Sequence, residues 1–530
     1  MKSLFVGNVC EWTFTASVSY RDPYNDVDFA AYVITPTGAR MHVPGFWNGG
    51  SRFAIRFSPA EAGRYHLETT CSSSSDSGLH GRKREFNAES VRNPRDRGLE
   101  RLTISNDGRS LAYVDGAPFF WLGDTWWMGL SRRMDWPRGF SEISLDRAEK
   151  GFSVIQIIAG PYPDMTAFDP RGEGEGGFPL ERDFKRVRPE YFSFADRKIA
   201  HLVKSGLHPC IVGMWGYYLI EMGTDVVKRY WRYLIARYGA YPVLWCAAGE
   251  AAMPFYLSGT KEADVVRQRD GWTDVIREIK SCDPYRNPIT IHPTDSGRNQ
   301  VTDPKTLDFD MLQTGHSGYA SLPNTFESVQ KSRRGKPTMP VVVSETNYEG
   351  IMGSSHQDVQ RRQFFGAILS GASGFTYGGN GIWQAGTVEA PYGPSPHGRG
   401  WGDVPWRDAM KLPGAAQIAA GADFLRALPW QRLEPATDRV ENPWSKRNHG
   451  GNFAAATPDG VCCVYVPQLW NPPRLVGFKP GKRLKMRYWN PIDCNEIDLG
   501  KTGTVKADSD GGATPPLPPF AHDWLLVIEP

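Results

Sequence analysis

Between about residues 100 and 425 the sequence alternates eight continuous apolar segments with segments of helical periodicity. The eight predicted strands are FFWLGD (119–124), SVIQIIAG (153–160), HPCIVGMW (208–215), VLWCAAGE (243–250), NPITIHP (287–293), DMLQTGH (310–316), MPVVVSE (339–345) and SGFTYGG (373–379). Continuous apolar runs are typical of parallel strands covered on both faces. Eight of them with helices between several favour a (β/α)₈ barrel over an open doubly wound sheet.

The two ends of the chain have a different pattern. Short strand-like segments such as DFAAYVIT and RFAIRF fill the first 95 residues, and segments such as VCCVYVP and DWLLVIE follow the helix AAQIAAGADFLRAL. Short strands separated by Gly and Pro, without long helices, predict β-sandwiches. We therefore predict a multidomain α/β protein: an N-terminal β-sandwich over 1–95, a (β/α)₈ TIM barrel over 96–428 and a C-terminal β-sandwich over 429–530.

Composition excludes several classes of partner. With 61 Lys+Arg against 58 Asp+Glu, the chain lacks the basic excess that nucleic acids or anionic membranes attract. No run reaches the roughly 20 apolar residues that span a bilayer. Aromatic residues make up 12% of the chain, which suits stacking on sugar rings, so we expect a carbohydrate partner. Whether copies of the chain form a homo-oligomer stays open.

The cysteines and the first residues bear on location. The eight cysteines are scattered, and the opening MKSLFVGNVCEWTF has no apolar stretch of the kind that a secretory signal needs. We expect reduced thiols in a cytoplasmic protein. A mature chain trimmed of its signal is the alternative.

Motifs for other chemistries are missing from the sequence. It has no HExxH, no Cys/His pattern at zinc spacing and no calcium-loop motif, so we expect neither a metal nor a cofactor. No GxSxG supports an esterase. No GxGxxG or Walker motif follows a predicted strand, which weakens a nucleotide-binding function.

Two carboxylates end predicted barrel strands. Catalytic groups of such barrels project from the carboxyl ends of the strands, where Glu250 ends the fourth and Glu345 the seventh. Either one alone could be a helix N-cap or form a salt bridge at the start of a loop. Together they match the acid and base of glycoside hydrolysis, with retention at a separation of about 5–5.5 Å and inversion at about 6.5–9.5 Å. The sequence leaves that separation open.

A family resemblance rests on several motifs. The segments FFWLGDTWWMG, DRAEKGFSVIQII, VLWCAAGE, LQTGHSG and VVVSETNYEG, in this order, resemble the apiosidase-like glycoside hydrolases with a clan A barrel. The stretch VPGFWNGGSRFAIRFSPAEAGRYHLETTC is similar to the β-sandwich that often precedes this barrel, and RYWNPIDCNEIDLG with HDWLLVIEP resembles a C-terminal sandwich of the collagen-binding type. The resemblance implies a retaining mechanism with Glu250 as acid/base and Glu345 as nucleophile.

One position departs from the wider clan. The acid/base there usually follows an Asn that binds the sugar 2-hydroxyl, but here the preceding residue is Gly249. Hydrogen bonds to the 2-hydroxyl strengthen in the transition state. Either another residue supplies this contact or the sugar is unusual, which weakens an assignment to a common β-glucan.

Other predicted strand ends supply candidate substrate-binding residues. Each has a structural alternative, since a Trp can pack in the core and a lone His is more often structural. The candidates are Asp124, Trp126, Trp127, Trp215, Tyr217, His292, His316, Tyr348 and Trp383.

The sequence therefore predicts a retaining, exo-acting glycoside hydrolase that acts on an oligosaccharide or glycoside of a less common sugar. Apiose, rhamnose, arabinofuranose, galactofuranose and glucuronic acid all stay open, as does the anomeric configuration of the linkage. Three alternatives also remain: a non-catalytic carbohydrate-binding protein on a degenerate barrel, a transglycosylase, and a hydrolase that uses Asp124 in place of Glu250.

Overall fold

A computed structural model describes residues 4–90, 99–468, 472–497 and 503–529. The predicted boundary between residues 95 and 96 lies outside the described residues. No helix among the described residues is both long and apolar enough to cross a bilayer.

The N-terminal region consists of two packed sheets and one short helix, α1 (Pro23–Asp26). Its strands are β1 (Leu4–Phe5), β2 (Cys10–Thr15), β3 (Phe29–Ile34), β4 (Arg40–Pro44), β5 (Phe46–Trp47), β6 (Arg52–Phe57), β7 (Gly63–Cys71) and β8 (Lys83–Glu89). One sheet has the order β1-β8-β7-β3-β4 and the other β2-β6-β5. Buried side chains from both sheets form one core, so this region is a β-sandwich. A small sheet of β9 (Leu102–Ile104), β10 (Leu111–Tyr113) and β11 (Pro118–Phe119) leads into the barrel.

Eight parallel strands form the predicted barrel. They are β12 (Trp121–Trp126), β13 (Val154–Ile158), β14 (His208–Val212), β15 (Leu244–Cys246), β16 (Ile289–Thr290), β17 (Asp310–Gln313), β18 (Val341–Glu345) and β19 (Gly374–Tyr377). The ladder runs β16-β15-β14-β13-β12-β19-β18-β17. Between β16 and β17 the ring is joined by Asp308 N donating to Ile289 O at 2.8 Å and by Thr290 Oγ1 donating to Phe309 O at 2.7 Å.

Helices surround this ring and bury their apolar sides on it. They are α2 (Arg138–Glu149), α3 (Pro189–Lys204), α4 (Tyr218–Met222), α5 (Thr224–Tyr238), α6 (Lys261–Cys282), α7 (Leu322–Arg334), α8 (Gln357–Leu369), α9 (Trp406–Ala409) and α10 (Pro413–Arg426). Short 3₁₀ turns lie at Pro170–Gly172, Gly297–Gln300, Pro304–Thr306, Gly318–Ser321, Ile351–Gly353, Trp430–Arg432 and Thr437–Arg439. The prediction of a (β/α)₈ barrel is confirmed.

The C-terminal region is built on one seven-stranded sheet. Its strands are β20 (Glu434–Pro435), β21 (Phe453–Ala456), β22 (Cys462–Val466), β23 (Arg483–Asn490), β24 (Asn495–Ile497), β25 (Thr504–Lys506) and β26 (Trp524–Glu529). Successive residues face opposite sides of a strand, so Cys463 and Tyr465 join the barrel core while Cys462 and Val464 face a separate core. The opposite side of that second core is covered by short segments instead of a second full sheet. Isolated β-bridges join Val440 to Leu475 and Leu475 to Ala513 in these segments.

Buried ion pairs fasten both flanking regions to the barrel. Arg56 of β6 binds Asp196 of α3 at 2.5 Å, and Arg237 of α5 binds the same carboxylate at 2.8 Å. On the other side Arg361 of α8 makes two 2.8 Å hydrogen bonds to Asp523. Paired, hydrogen-bonded charges are the form in which such groups tolerate burial.

Candidate active site

A cavity of about 230 Å³ lies at the carboxyl end of the barrel strands. Its wall is mostly aromatic and apolar, with three carboxylates. The lining residues are Trp127, Pro163, Asp164, Trp215, Glu250, Met253, Tyr256, Gln313, His316, Glu345, Tyr348, Ile351, Trp383 and Trp401. Both strand-end glutamates therefore face the same space.

Glu250 lies in the loop after β15 and has a left-handed backbone, with φ of 40°. The turn is held by Gly216 N donating to Gly249 O at 2.7 Å and by Ala251 N donating to His292 O at 3.1 Å. A non-glycine residue in this conformation carries about 1–3 kcal/mol of strain, which the surrounding structure must offset, and such residues cluster at active sites.

Glu345 is the last residue of β18, and two histidines contact its carboxylate. His316 Nε2 lies 2.9 Å from Oε1, and His292 Nε2 lies 3.4 Å from Oε2. Burial raises the pKa of Glu345, but hydrogen bonds from His292 and His316 outweigh it and bring the pKa to about 2. Burial lowers the pKa of His316, whereas the contact with Glu345 raises it, and the net direction is upward. This site therefore stabilises an ionised Glu345.

Gln313, the last residue of β17, connects the two glutamates. Its Nε2 donates to Glu250 Oε1 at 2.9 Å and lies 3.3 Å from Glu345 Oε1. Burial and then the charge of Glu345 raise the pKa of Glu250 to about 8, against an opposing hydrogen bond from Gln313. The pair is thus one proton donor and one ionised carboxylate at neutral pH, the division of roles that acid-assisted displacement requires.

Gly249 lies directly against Trp215. A Cβ atom at Gly249 would overlap Cε3 and Cζ3 of the Trp215 indole, and the two residues form a parallel bridge. The indole ring therefore fills the space in which a larger residue before Glu250 would place its side chain. Nε1 of Trp215 is buried and has no acceptor among the described residues.

Three stacked rings form another part of the wall. Tyr348 packs on His316 with ring centroids 5.0 Å apart and on Trp383 at 5.6 Å, both in stacked geometry. Trp127 Nε1 donates to the Tyr348 hydroxyl at 3.0 Å. All three rings line the cavity, so this part of its wall, beside the ionised Glu345, is aromatic.

The structure places some predicted binding residues elsewhere. Asp124 and Trp126 lie inside β12 and face α2, where Arg147 Nε contacts Asp124 Oδ2 at 2.6 Å and Phe140 packs on Trp126. The predicted strand ended at Asp124, but β12 continues to Trp126, so this side of the strand faces a helix instead of the cavity. The Tyr217 hydroxyl is a hydrogen-bond donor to the backbone oxygens of Tyr162 and Met165. These three residues do not line the cavity. His292 does not line it either, but it contacts three residues that do, namely Glu345, Trp127 and Trp215.

Sequence reasoning missed several cavity residues. Gln313 precedes the predicted end of its strand by three positions, and its place inside LQTGH beside His316 is the signal that could have found it. Asp164, Tyr256 and Trp401 lie in three separate loops, which only the folded structure brings together. Among the described residues, no group of three His, Cys, Asp or Glu side chains is arranged to hold a metal ion.

Two family models match parts of the chain. A model of the apiosidase-like catalytic domain matches residues 105–432, and a model of a domain of unknown function, DUF5060, matches residues 8–72. None of the curated proteins compared with the chain matches it.

Solved structures share the fold at low sequence identity. A structure from Bacteroides vulgatus ATCC 8482 is 17% identical over 100% of both chains, with a TM-score of 0.71. A family 5 glycoside hydrolase from the same organism is 20% identical, covers 81% of this chain and 93% of its own, and has a TM-score of 0.62. A further glycoside hydrolase is 21% identical, covers 81% and 97%, and has a TM-score of 0.64.

Proposed function

Because the chain belongs to the apiosidase-like catalytic domain family and is a glycoside hydrolase, we propose that it is a retaining, exo-acting enzyme that releases one neutral sugar unit. Glu345 is the nucleophile and Glu250 the acid/base. The substrate is an oligosaccharide or glycoside of a less common sugar, such as a pentofuranose or a deoxysugar.

The Gln313 bridge is the observation that carries this proposal. Its Nε2 lies 2.9 Å from Glu250 Oε1 and 3.3 Å from Glu345 Oε1, so these two oxygens are at most about 6.2 Å apart. Inverting enzymes separate their carboxyl groups by about 6.5–9.5 Å to admit a water, whereas retaining enzymes use about 5–5.5 Å. The upper limit on the distance between the two glutamate oxygens lies below the range of inverting enzymes and supports a retaining mechanism.

The proposed reaction has two displacements. Glu345 attacks the anomeric carbon and forms an ester bond, while the glycosidic bond breaks and Glu250 gives its proton to the departing oxygen. Glu250, now a carboxylate, removes a proton from water, and the water oxygen attacks the anomeric carbon. The ester bond to Glu345 breaks, and both glutamates return to their starting states.

The cavity supports exo action on a neutral sugar. At about 230 Å³ it falls below the roughly 300–1,000 Å³ of drug-sized sites, which suits one sugar ring. Its lining contains three carboxylates, and no Lys or Arg lies among the described lining residues. A uronic acid would place another negative charge among them, so neutral pentoses and deoxysugars fit better.

A panel of aryl glycosides, pentofuranosides included, tests this function. We expect the wild type to hydrolyse at least one member, and Glu345→Gln and Glu250→Gln each to lose nearly all turnover while remaining folded. Glu262→Gln, an exposed substitution on α6, is the matched control and should keep full activity. Near-normal turnover by Glu345→Gln would overturn the proposal, and binding of sugars without turnover by the wild type would favour a carbohydrate-binding protein.

A further inference from the structure

The cavity contains a third carboxylate that the two-glutamate mechanism does not use. Asp164 lies in the long loop between β13 and α3 and is only 6% exposed. Its backbone is left-handed, with φ of 58°. Strained residues of this kind persist where the surrounding structure fixes them, often at ligand sites.

Two aromatic side chains from other loops orient this carboxylate. The Tyr256 hydroxyl, from the loop after β15, donates to Oδ1 at 2.5 Å, and Trp401 Nε1, from the segment after β19, donates to Oδ2 at 3.1 Å. An ionised carboxylate has about four acceptor positions. Tyr256 and Trp401 use two of them, so Asp164 can accept further hydrogen bonds.

Among the described residues, no Lys or Arg lines the cavity beside Asp164. Arg171 of the same loop interacts with the charge of Asp164, but its guanidinium is hydrogen-bonded to Asp169, and Glu250 and Glu345 line the same cavity. A buried carboxylate needs hydrogen-bond donors to offset the loss of hydration. Sugar hydroxyls are donors of the right kind, and they carry no charge that the glutamates would repel.

We propose that Asp164 binds a hydroxyl of the sugar unit that is enclosed in the cavity, and so selects the sugar that is cleaved. This inference rests on the proposed glycoside hydrolase function. The enclosed unit is favoured over the departing group because Asp164 is buried and joined to Trp401, whose ring lies 6.3 Å from that of His316, the partner of Glu345. Asp164 and the nucleophile both line this one cavity.

The test compares substrates that lack single hydroxyls. The substrate is the aryl glycoside that the wild type hydrolyses best, whose leaving group has no sugar hydroxyl, together with its monodeoxy analogues. Because a hydrogen bond to a charged group contributes about 1.5–3 kcal/mol, Asp164→Asn should lower kcat/KM roughly 10- to 100-fold on the full glycoside. For one monodeoxy analogue the same substitution should cost little, since the bond is already missing.

Controls separate this role from a structural one. Asp183→Asn replaces an exposed residue of the same loop and should have the kcat/KM of the wild type. The kcat/KM of Tyr256→Phe should fall between those of the wild type and Asp164→Asn. The proposal is overturned if Asp164→Asn matches wild type, or if it lowers kcat/KM equally on the full glycoside and on every monodeoxy analogue.

A failure of the proposed function looks different. In that case the wild type hydrolyses no member of the panel, and saturation-transfer NMR with free pentoses and 6-deoxyhexoses tests Asp164 instead. Binding by the wild type that Asp164→Asn loses supports the assignment of Asp164. Equal binding by both proteins, or binding by neither, overturns it.

Discussion

The indole of Trp215 occupies the space that a side chain at Gly249 would need, because a Cβ atom there would overlap two of its ring carbons. The clan to which this barrel is similar usually has an Asn at this position. Here a ring from the loop after β14 takes its place beside Glu250, so the two positions depend on each other.

Gly249→Ala should therefore displace Trp215 and disturb Glu250. Overpacking of this kind costs about 1–3 kcal/mol, and we expect at least a tenfold lower kcat together with a lower Tm. Combining Gly249→Asn with Trp215→Ala should restore Tm toward the wild-type value. Steady-state kinetics and thermal unfolding measure both effects, and an unchanged Tm for Gly249→Ala would contradict the packing account.

The pH–rate profile should reflect the two glutamates. Glu250 must be protonated to act, and its pKa is raised to about 8, whereas Glu345 must be ionised and its pKa is about 2. We expect kcat/KM to stay level from about pH 5 to 7 and to fall as pH rises through about 8. A basic limb that remains in Glu250→Gln would show that another group titrates there.

Replacing His316 should move the acidic limb. Its hydrogen bond and charge help to keep the pKa of Glu345 low, so His316→Ala should raise that pKa and shift the acidic limb to higher pH. His316→Gln retains a donor near Nε2 without the charge, and we expect a smaller shift. The test is a measurement of kcat/KM between pH 3.5 and 6. An acidic limb at the same pH in wild type, His316→Ala and His316→Gln would exclude this role of His316.

Folding stability should also depend on pH because of Glu250. Its pKa is raised from 4.5 to about 8 in the folded protein, so the folded state binds more protons and the wild type loses stability as pH rises from about 4.5 to 8. Glu250→Gln removes this loss, and its Tm relative to wild type should be higher at pH 9 than at pH 6. For Glu262→Gln the difference should not change with pH.

Asp124 should matter for folding more than for chemistry. Its ion pair with Arg147 is fully buried, and breaking a buried pair costs about 3–5 kcal/mol. Asp124→Asn should lower the free energy of unfolding by about 3 kcal/mol in urea titrations, while kcat of the folded fraction stays within a few-fold of wild type. Loss of kcat without loss of stability would instead restore Asp124 as a candidate acid.

Most of the fold could be predicted because eight continuous apolar segments specify eight covered parallel strands. The same continuity hides which residues face inward, since both sides of such a strand are buried. For this reason Asp124 and Trp126 could not be distinguished from residues of the cavity, although Glu250 and Glu345 stand out as charges that end apolar strands.

The rest of the candidate site depends on contacts between distant segments. Three cavity residues come from the loops after β13, β15 and β19, namely Asp164, Tyr256 and Trp401. None of them belongs to a sequence motif that would indicate a binding role. The role of Gly249 is likewise visible only when Trp215 is seen beside it.

In the proposed reaction Glu345 forms a covalent bond to the sugar. The direct measurement is peptide mass mapping after incubation with the 2-deoxy-2-fluoro aryl glycoside of the sugar that the wild type hydrolyses. We predict one added glycosyl mass, located on Glu345. A label on Glu250 or Asp164, or the absence of any adduct in an enzyme that hydrolyses the parent glycoside, would contradict the account.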